Sequence, residues 1–271
     1  MYESYWHLQQ RPFENTFSPE FYYPGSSHQA ALLKLRYAVE NRSGAAVLAG
    51  PAGSGKTLVT TMLQNTLEER FSPFVHIVFP QMSPVELLAY LAWQFEGEDS
   101  GENHGVHESV RRIERFLTSN AEQGRHAVLV IDEAHLLAEP NCFETLRLLL
   151  NFAPGGDPAM TLLLVGRPAL LPMLDRMPEW EERVAVKCLL KPFTPPETTA
   201  YVDHRLQAAG AGRAIISPTA LPTLHELTQG LARRINRLCD LALLVGYAEE
   251  RPIVEAEDFQ AVHRELVAIA A

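Results

Sequence analysis

With 271 residues, 46% of them hydrophobic and 21% charged, the chain is long enough for one large or two modest domains with real cores, which excludes a disulfide-stapled miniprotein. Sixteen Gly and 19 Pro lie within the globular range, so neither a disordered nor a collagenous chain is expected. The 23 Lys and Arg against 33 Asp and Glu give a net charge of −10, which disfavours a whole surface that grips nucleic acid and leaves a local basic patch open.

From Met1 to Glu20 the chain is polar and aromatic, with no apolar run after a basic segment, so no signal peptide is expected. Phe13, Phe17, Tyr22 and Tyr23 read as a packing flap. Four short apolar runs follow, Ala45–Ala49, Phe74–Phe79, Ala127–Ile131 and Thr161–Val165. Each is apolar enough for burial on both faces, the pattern of a parallel sheet between helices. Ser83-Pro84-x-Glu86 and Asn141-x-x-Glu144 read as capping boxes opening helices. Glu96–Gly105 and the polar residues before Gly124 read as loops. After Lys191 the strand signal stops: helices are expected from Thr194-Pro195-Pro196-Glu197 to Gly210, from Ser217-Pro218, over Leu231–Tyr247 and from Ala256 to the end. The expected organisation is an α/β domain over residues 1–193 and a small helical domain over 194–271. Cys142, Cys188 and Cys239 are odd in number and widely spaced, which predicts reduced, mostly buried thiols in a cytoplasmic protein. The apolar stretches around Leu148–Leu150 and Leu241–Val245 fall far short of the roughly 20 residues of a membrane span.

Gly50-Pro51-Ala52-Gly53-Ser54-Gly55-Lys56-Thr57 is a complete Walker A string between an apolar strand and a helical pattern. The glycines let backbone N–H groups turn inward onto phosphate oxygens, the following helix adds its positive end, Lys56 adds a charge, and the Thr57 hydroxyl suits magnesium. A nucleoside triphosphate is the expected ligand. The strand Ala127–Ile131 empties into Asp132 and Glu133, as a Walker B strand does. Asp132 is expected to hold the magnesium through water, and Glu133 to orient or deprotonate the attacking water. Asp132-Glu133-Ala134-His135 spells the string that names DEAH-type helicases, and is read as coincidence because the chain is too short for two recombinase-like domains. His135 is then a polar residue at a helix start or a solvated one.

An arginine that neutralises charge on the γ-phosphate raises hydrolysis by roughly 10³ to 10⁵. Arg183 is the leading candidate, placed to reach a neighbouring subunit, and Arg176 the competitor. Arg233, Arg234 and Arg237 cluster at a helix start, where cations oppose the helix dipole, so an anionic ligand for Arg233 is expected. His104-Gly105-Val106-His107-Glu108 is a weak metal-clip string without further ligands.

These motifs together resemble the AAA+ superfamily of P-loop NTPases and, more narrowly, the ATPases of the general secretion pathway protein A (ExeA-like) family. The resemblance runs through Met1-Tyr2, Pro12-Phe13, Ser27-His28, both Walker motifs, Leu164-Val165-Gly166, Arg183-Val184 and Gly230 to Asp240. It implies a five-stranded core with a helical lid, and ATP with Mg2+ at Lys56, Thr57, Asp132 and Glu133. It further implies an arginine finger at Arg183, a lid sensor at Arg233 and assembly into a homo-oligomer around nucleotide. Arg167 stands where the family usually has Gln. The chain ends at Ala271, directly after the lid, and so is expected to correspond to the ATPase module. The expected activity is an ATP-hydrolysing switch or assembly factor acting on a protein partner. The alternatives are a nucleotide-gated scaffold with little hydrolysis and a DNA transposition helper, the latter disfavoured by net charge.

Overall fold

The computed structural model describes residues 1–14, 18–97, 105–137 and 140–270. Phe17 of the expected flap and His104 of the metal-clip string lie outside the described residues. In chain order run α1 (Glu3–Trp6), α2 (Ser26–Glu40), β1 (Ala45–Ala49), α3 (Lys56–Thr66), β2 (Phe74–Ile77), α4 (Pro84–Glu96), α5 (Val106–Glu122) and β3 (Ala127–Ile131). Then come α6 (Pro140–Leu149), β4 (Met160–Gly166), α7 (Leu170–Leu174), α8 (Pro178–Glu181), β5 (Val184–Leu189), α9 (Pro195–Ala208), α10 (Leu221–Thr228), α11 (Ala232–Ala248) and α12 (Ala256–Ala270). The residues fall into two compact units, one of 30–50 and 59–190, the other of 1–29, 51–58 and 191–271.

The first unit is built on a parallel five-stranded sheet in the order β2-β3-β4-β1-β5. β1, β3 and β4 are buried along their whole length, as their unbroken apolar runs require when helices cover both faces. The edge strands differ. β2 alternates between half-buried and buried, and β5 keeps only Cys188 fully inside. The apolar run expected to end at Phe79 leaves the sheet after Ile77, and Val78 and Phe79 are 67% and 62% exposed. β5, absent from the four runs read as strands, supplies the fifth. Register sets Ala49 opposite Gly166 and Ile131 opposite Leu164. β1, β3 and β4 therefore empty at one edge of the sheet, where open α/β sheets hold ligands.

The helices obey local signals where these are strong. Ser83 caps α4 and Thr194 caps α9 through reciprocal bonds with Glu86 and Glu197, with a proline in the first turn of each. The Asn141 box is displaced, since α6 already starts at Pro140. The polar stretch before Gly124, read as loop, is the 17-residue helix α5. Its buried residues Ser109, Ile113, Leu117 and Asn120 recur at helical spacing along one stripe, while the other faces carry charge, and that stripe suffices for a surface helix.

In the second unit α9, α10, α11 and α12 enclose a core joined by Tyr2, Trp6, Phe13 and Phe21. Trp6 is fully buried and its indole N–H donates to the Leu243 carbonyl at 3.0 Å. The Tyr2 hydroxyl bonds the Asp240 carboxylate. Arg205 donates to the carbonyls of Pro12 and Glu14 and lies 4.2 Å above the Phe21 ring. Each large side chain so buried contributes about 1.5–3 kcal/mol, so the N-terminal aromatics act as core. The three cysteines are free and buried, and among the described residues no helix is long and apolar enough to cross a membrane.

Candidate functional site

The loop between β1 and α3 is shaped by backbone. Gly50 donates its N–H to the Gly166 carbonyl at 3.1 Å. Gly53 and Gly55 take φ of +76° and +90°, a left-handed geometry that costs other residues roughly 1–2 kcal/mol. At Gly53 there is no room either, because an added Cβ meets the Arg233 Cβ at 2.6 Å. Two loop carbonyls are engaged from within the same unit. Gly53 O accepts the Arg233 N–H at 3.1 Å, and Ser54 O lies 2.8 Å from His28 Nε2. Ser54 N–H closes a turn onto Pro51 O at 3.2 Å.

Lys56 opens α3, is only 6% exposed, and its Nζ donates to the Pro51 carbonyl at 3.1 Å across the loop. Ala52 is exposed, while Pro51 and Thr57 are half-buried. The Ser54 Oγ is buried with no hydrogen-bond partner among the described residues. A buried cation, an orphaned hydroxyl and carbonyls drawn away from the loop make a surface of donors at a helix start, which fits a phosphate chain.

The acid pair stands where β3 ends. The Asp132 N–H donates to Ile77 O at 2.8 Å, which fixes the strand tip against β2, and the Asp132 side chain is almost fully enclosed. Its Oδ1 accepts the Glu133 N–H at 2.8 Å, and its Oδ2 lies 3.6 Å from Nε2 of His76 on β2. Glu133 is held in the left-handed region, φ 49° and ψ 36°, a conformation uncommon for any residue with a Cβ. Its Oε2 lies 3.4 Å from His135 Nδ1, and that nitrogen accepts the Arg167 N–H at 3.3 Å. His135 is thus tied through Nδ1 to the segment after β4 and lies beside Glu133, and the solvated alternative does not hold. Carboxylate and hydroxyl oxygens of the Asp132 and Thr57 kind are the hard donors magnesium prefers.

The arginines divide. Arg233, second residue of α11, meets the phosphate loop through its own N–H. Arg167 is exposed immediately after β4, at the edge where the acid pair lies. Arg183 occupies the opposite edge: its carbonyl accepts the Ala45 N–H at the start of β1, and its guanidinium donates to Asn151 at 2.7 Å. Arg176, Arg234 and Arg237 are exposed. Sequence reasoning singled out neither His28 nor His76 as a site residue, for a lone histidine in a helix or strand carries no signal until the fold shows what it touches.

A family model described as an AAA domain matches residues 39–174, half the chain, and includes both the loop and the acid pair. General secretion pathway protein A of Aeromonas hydrophila is 33% identical over 251 residues, which cover 92% of this chain and 45% of that protein. The chain thus spans a little under half the length of the curated relative it matches. Among solved structures, the ORC2 protein of Aeropyrum pernix in its ADPNP–ADP complexes superposes with a TM-score of 0.72 at 17% identity, covering 95% of this chain and 71% of that one. Cdc6p of Pyrobaculum aerophilum gives 0.72 at 19% identity, covering 91% and 68%. Identities this low show a shared fold. The family rests on the matched segment, which takes in half the chain and both strand-end motifs: the chain belongs to the AAA domain family.

Proposed function

We propose that the chain binds ATP with magnesium and hydrolyses it, acting as a switch whose homo-oligomeric assembly passes the state of the nucleotide to a protein partner. One observation carries the reading: a backbone loop with a buried lysine follows β1, and a paired carboxylate follows β3, in a chain of the AAA domain family. Bound MgATP supplies the phosphoanhydride and the charge that phosphoryl transfer needs. In this reading residues 50–57 wrap the phosphates, with backbone N–H groups such as that of Gly55 turned onto them, and Lys56 neutralises them. Thr57 and Asp132 supply the metal's oxygen ligands, directly or through water. Glu133 takes the proton of the attacking water. The position of Arg183, a strand's length from its own acid pair, supports a role towards a neighbouring copy, with Arg176 the competitor. Arg233 is suited to report nucleotide to α11 because it already touches the loop.

The test is a pair of variants in purified protein. Glu133→Gln is expected to bind ATP and lose turnover, and Lys56→Ala to lose binding. A Glu133→Gln variant that hydrolyses like the wild type removes Glu133 from the chemistry. Specific activity that rises with protein concentration, and falls in Arg183→Ala but not Arg176→Ala, supports the shared site. Binding without hydrolysis at any concentration reduces the function to a nucleotide-gated scaffold.

A further inference from the structure

His28 belongs to none of the groups assigned above to phosphate, magnesium or water, yet it sits against the phosphate loop. It lies on α2 and is 5% exposed. Nε2 is 2.8 Å from the Ser54 carbonyl oxygen. A carbonyl only accepts, so Nε2 carries the hydrogen. Burial pushes the ring's pKa down against the opposing pull of that bond, which keeps the ring neutral and leaves Nδ1 with a lone pair. Nδ1 is 3.4 Å from the Ser27 hydroxyl, and that oxygen in turn accepts the Lys191 N–H at 3.3 Å. The ring also packs on Phe193, centroids 5.2 Å apart. Tautomer and orientation are thus fixed from both sides, as for a histidine with a directed hydrogen bond to make.

The bond matters because of what lies across the peptide. In a trans peptide the carbonyl of one residue and the N–H of the next point in opposite directions. Holding the Ser54 carbonyl therefore aims the Gly55 N–H the other way. Gly55, at φ +90°, has no side chain to resist that rotation, so an external bond is needed to fix it.

We propose that His28 is a positioning residue for phosphate binding: its Nε2–H holds the Ser54 carbonyl so that the Gly55 N–H faces the bound phosphate. The assignment rests on the nucleotide reading above. Each phosphate that docks then finds the donor already oriented, and the ordering cost is met on folding instead of on binding.

The experiment separates the bond from the packing. His28→Phe keeps a ring against Phe193 and removes the donor, whereas His28→Gln restores an N–H. ATP affinity by calorimetry is expected to fall roughly tenfold in His28→Phe, the order of one lost hydrogen bond to an oriented group. His28→Gln is expected to stay within about threefold of wild type. The loss should appear in KM with kcat nearly unchanged, and the nucleotide-free melting temperature of both variants should match the wild type. A His28→Phe protein that binds ATP as the wild type does, or two variants equally weakened with lowered melting temperatures, overturns the assignment. Lys56→Ala is the control: if it too binds normally, the nucleotide reading itself fails. Should His28→Phe not fold, ring-nitrogen NMR of the wild type decides. A ring with Nε2–H supports the bond, and a neutral ring with its hydrogen on Nδ1 overturns it.

Discussion

The phosphate loop and the acid pair reach a fixed geometry by opposite means. In the loop the fixed groups are backbone: carbonyls of Pro51, Gly53 and Ser54 are drawn onto Lys56, the Arg233 N–H and His28, and the loop's N–H groups are aimed as a consequence. At the tip of β3 they are side chains: Asp132 is set between His76 and the Glu133 N–H, and Glu133 beside His135. A backbone-held site tolerates change of side chain but not of φ. A side-chain-held site tolerates adjustment of geometry but not loss of a charge or a donor. That contrast can be broken or sharpened by substitution.

The largest effect belongs to Glu133. With the proposed base removed, turnover in Glu133→Gln should drop by roughly 10² to 10⁴. Glu133→Gly should lose as much, yet it relieves the left-handed backbone at φ 49° and should melt higher than Glu133→Gln by the equivalent of about 1 kcal/mol. Equal melting temperatures would mean that Glu133 stores no strain. Gly53→Ala comes next. It adds a Cβ that meets the Arg233 Cβ at 2.6 Å and a residue that resists φ +76°, so ATP affinity should fall by roughly ten- to a hundredfold with the acid pair intact. Calorimetry that finds normal affinity would show the loop adjusting as freely as a side chain. His135→Ala is milder: Glu133 keeps its charge and loses the ring beside Oε2, so kcat should fall by roughly five- to tenfold with KM unchanged.

The degree to which these regions could be read from sequence follows the same division. β1, β3 and β4 are unbroken apolar runs, and unbroken runs are legible. β5 places Lys187 between Val186 and Cys188 as an edge strand does, and reads as a strand only once β1 is beside it. The stripe of α5 was hidden because Arg111, Arg112, Glu114 and Arg115 outweigh Ile113 and Leu117 in any local average. At the site, Lys56, Thr57, Asp132 and Glu133 stand out because their chemistry fixes their spacing from a strand end. His28 and His76 lie against partners far off in sequence, Ser54 for the one and Asp132 on a neighbouring strand for the other, and no local pattern encodes that. The left-handed turn at Glu133 was equally silent, since only a glycine advertises such a conformation.

Acid gives the smallest expected effect, because one buried histidine holds the loop and another anchors the start of β3, the end away from the acid pair. His28 holds the loop carbonyl. His126, the residue before β3, lies 2.9 Å through Nε2 from the Thr161 hydroxyl, which itself donates to Ser43 O. Burial, with Arg42 nearby, lowers the His126 pKa to about 4, against about 6.5 in an unfolded chain. The folded protein therefore resists a proton that the unfolded chain accepts. The stability this contributes is complete above about pH 6.5 and is lost as the pH falls through the interval to about 4. His126→Gln keeps a donor for Thr161 and removes the titration, so its melting temperature should fall less between pH 7 and pH 5.5 than that of the wild type. The difference should be worth about 1 kcal/mol, a few degrees for a chain of this length. If the two proteins lose stability in parallel over that interval, His126 is not the group that titrates.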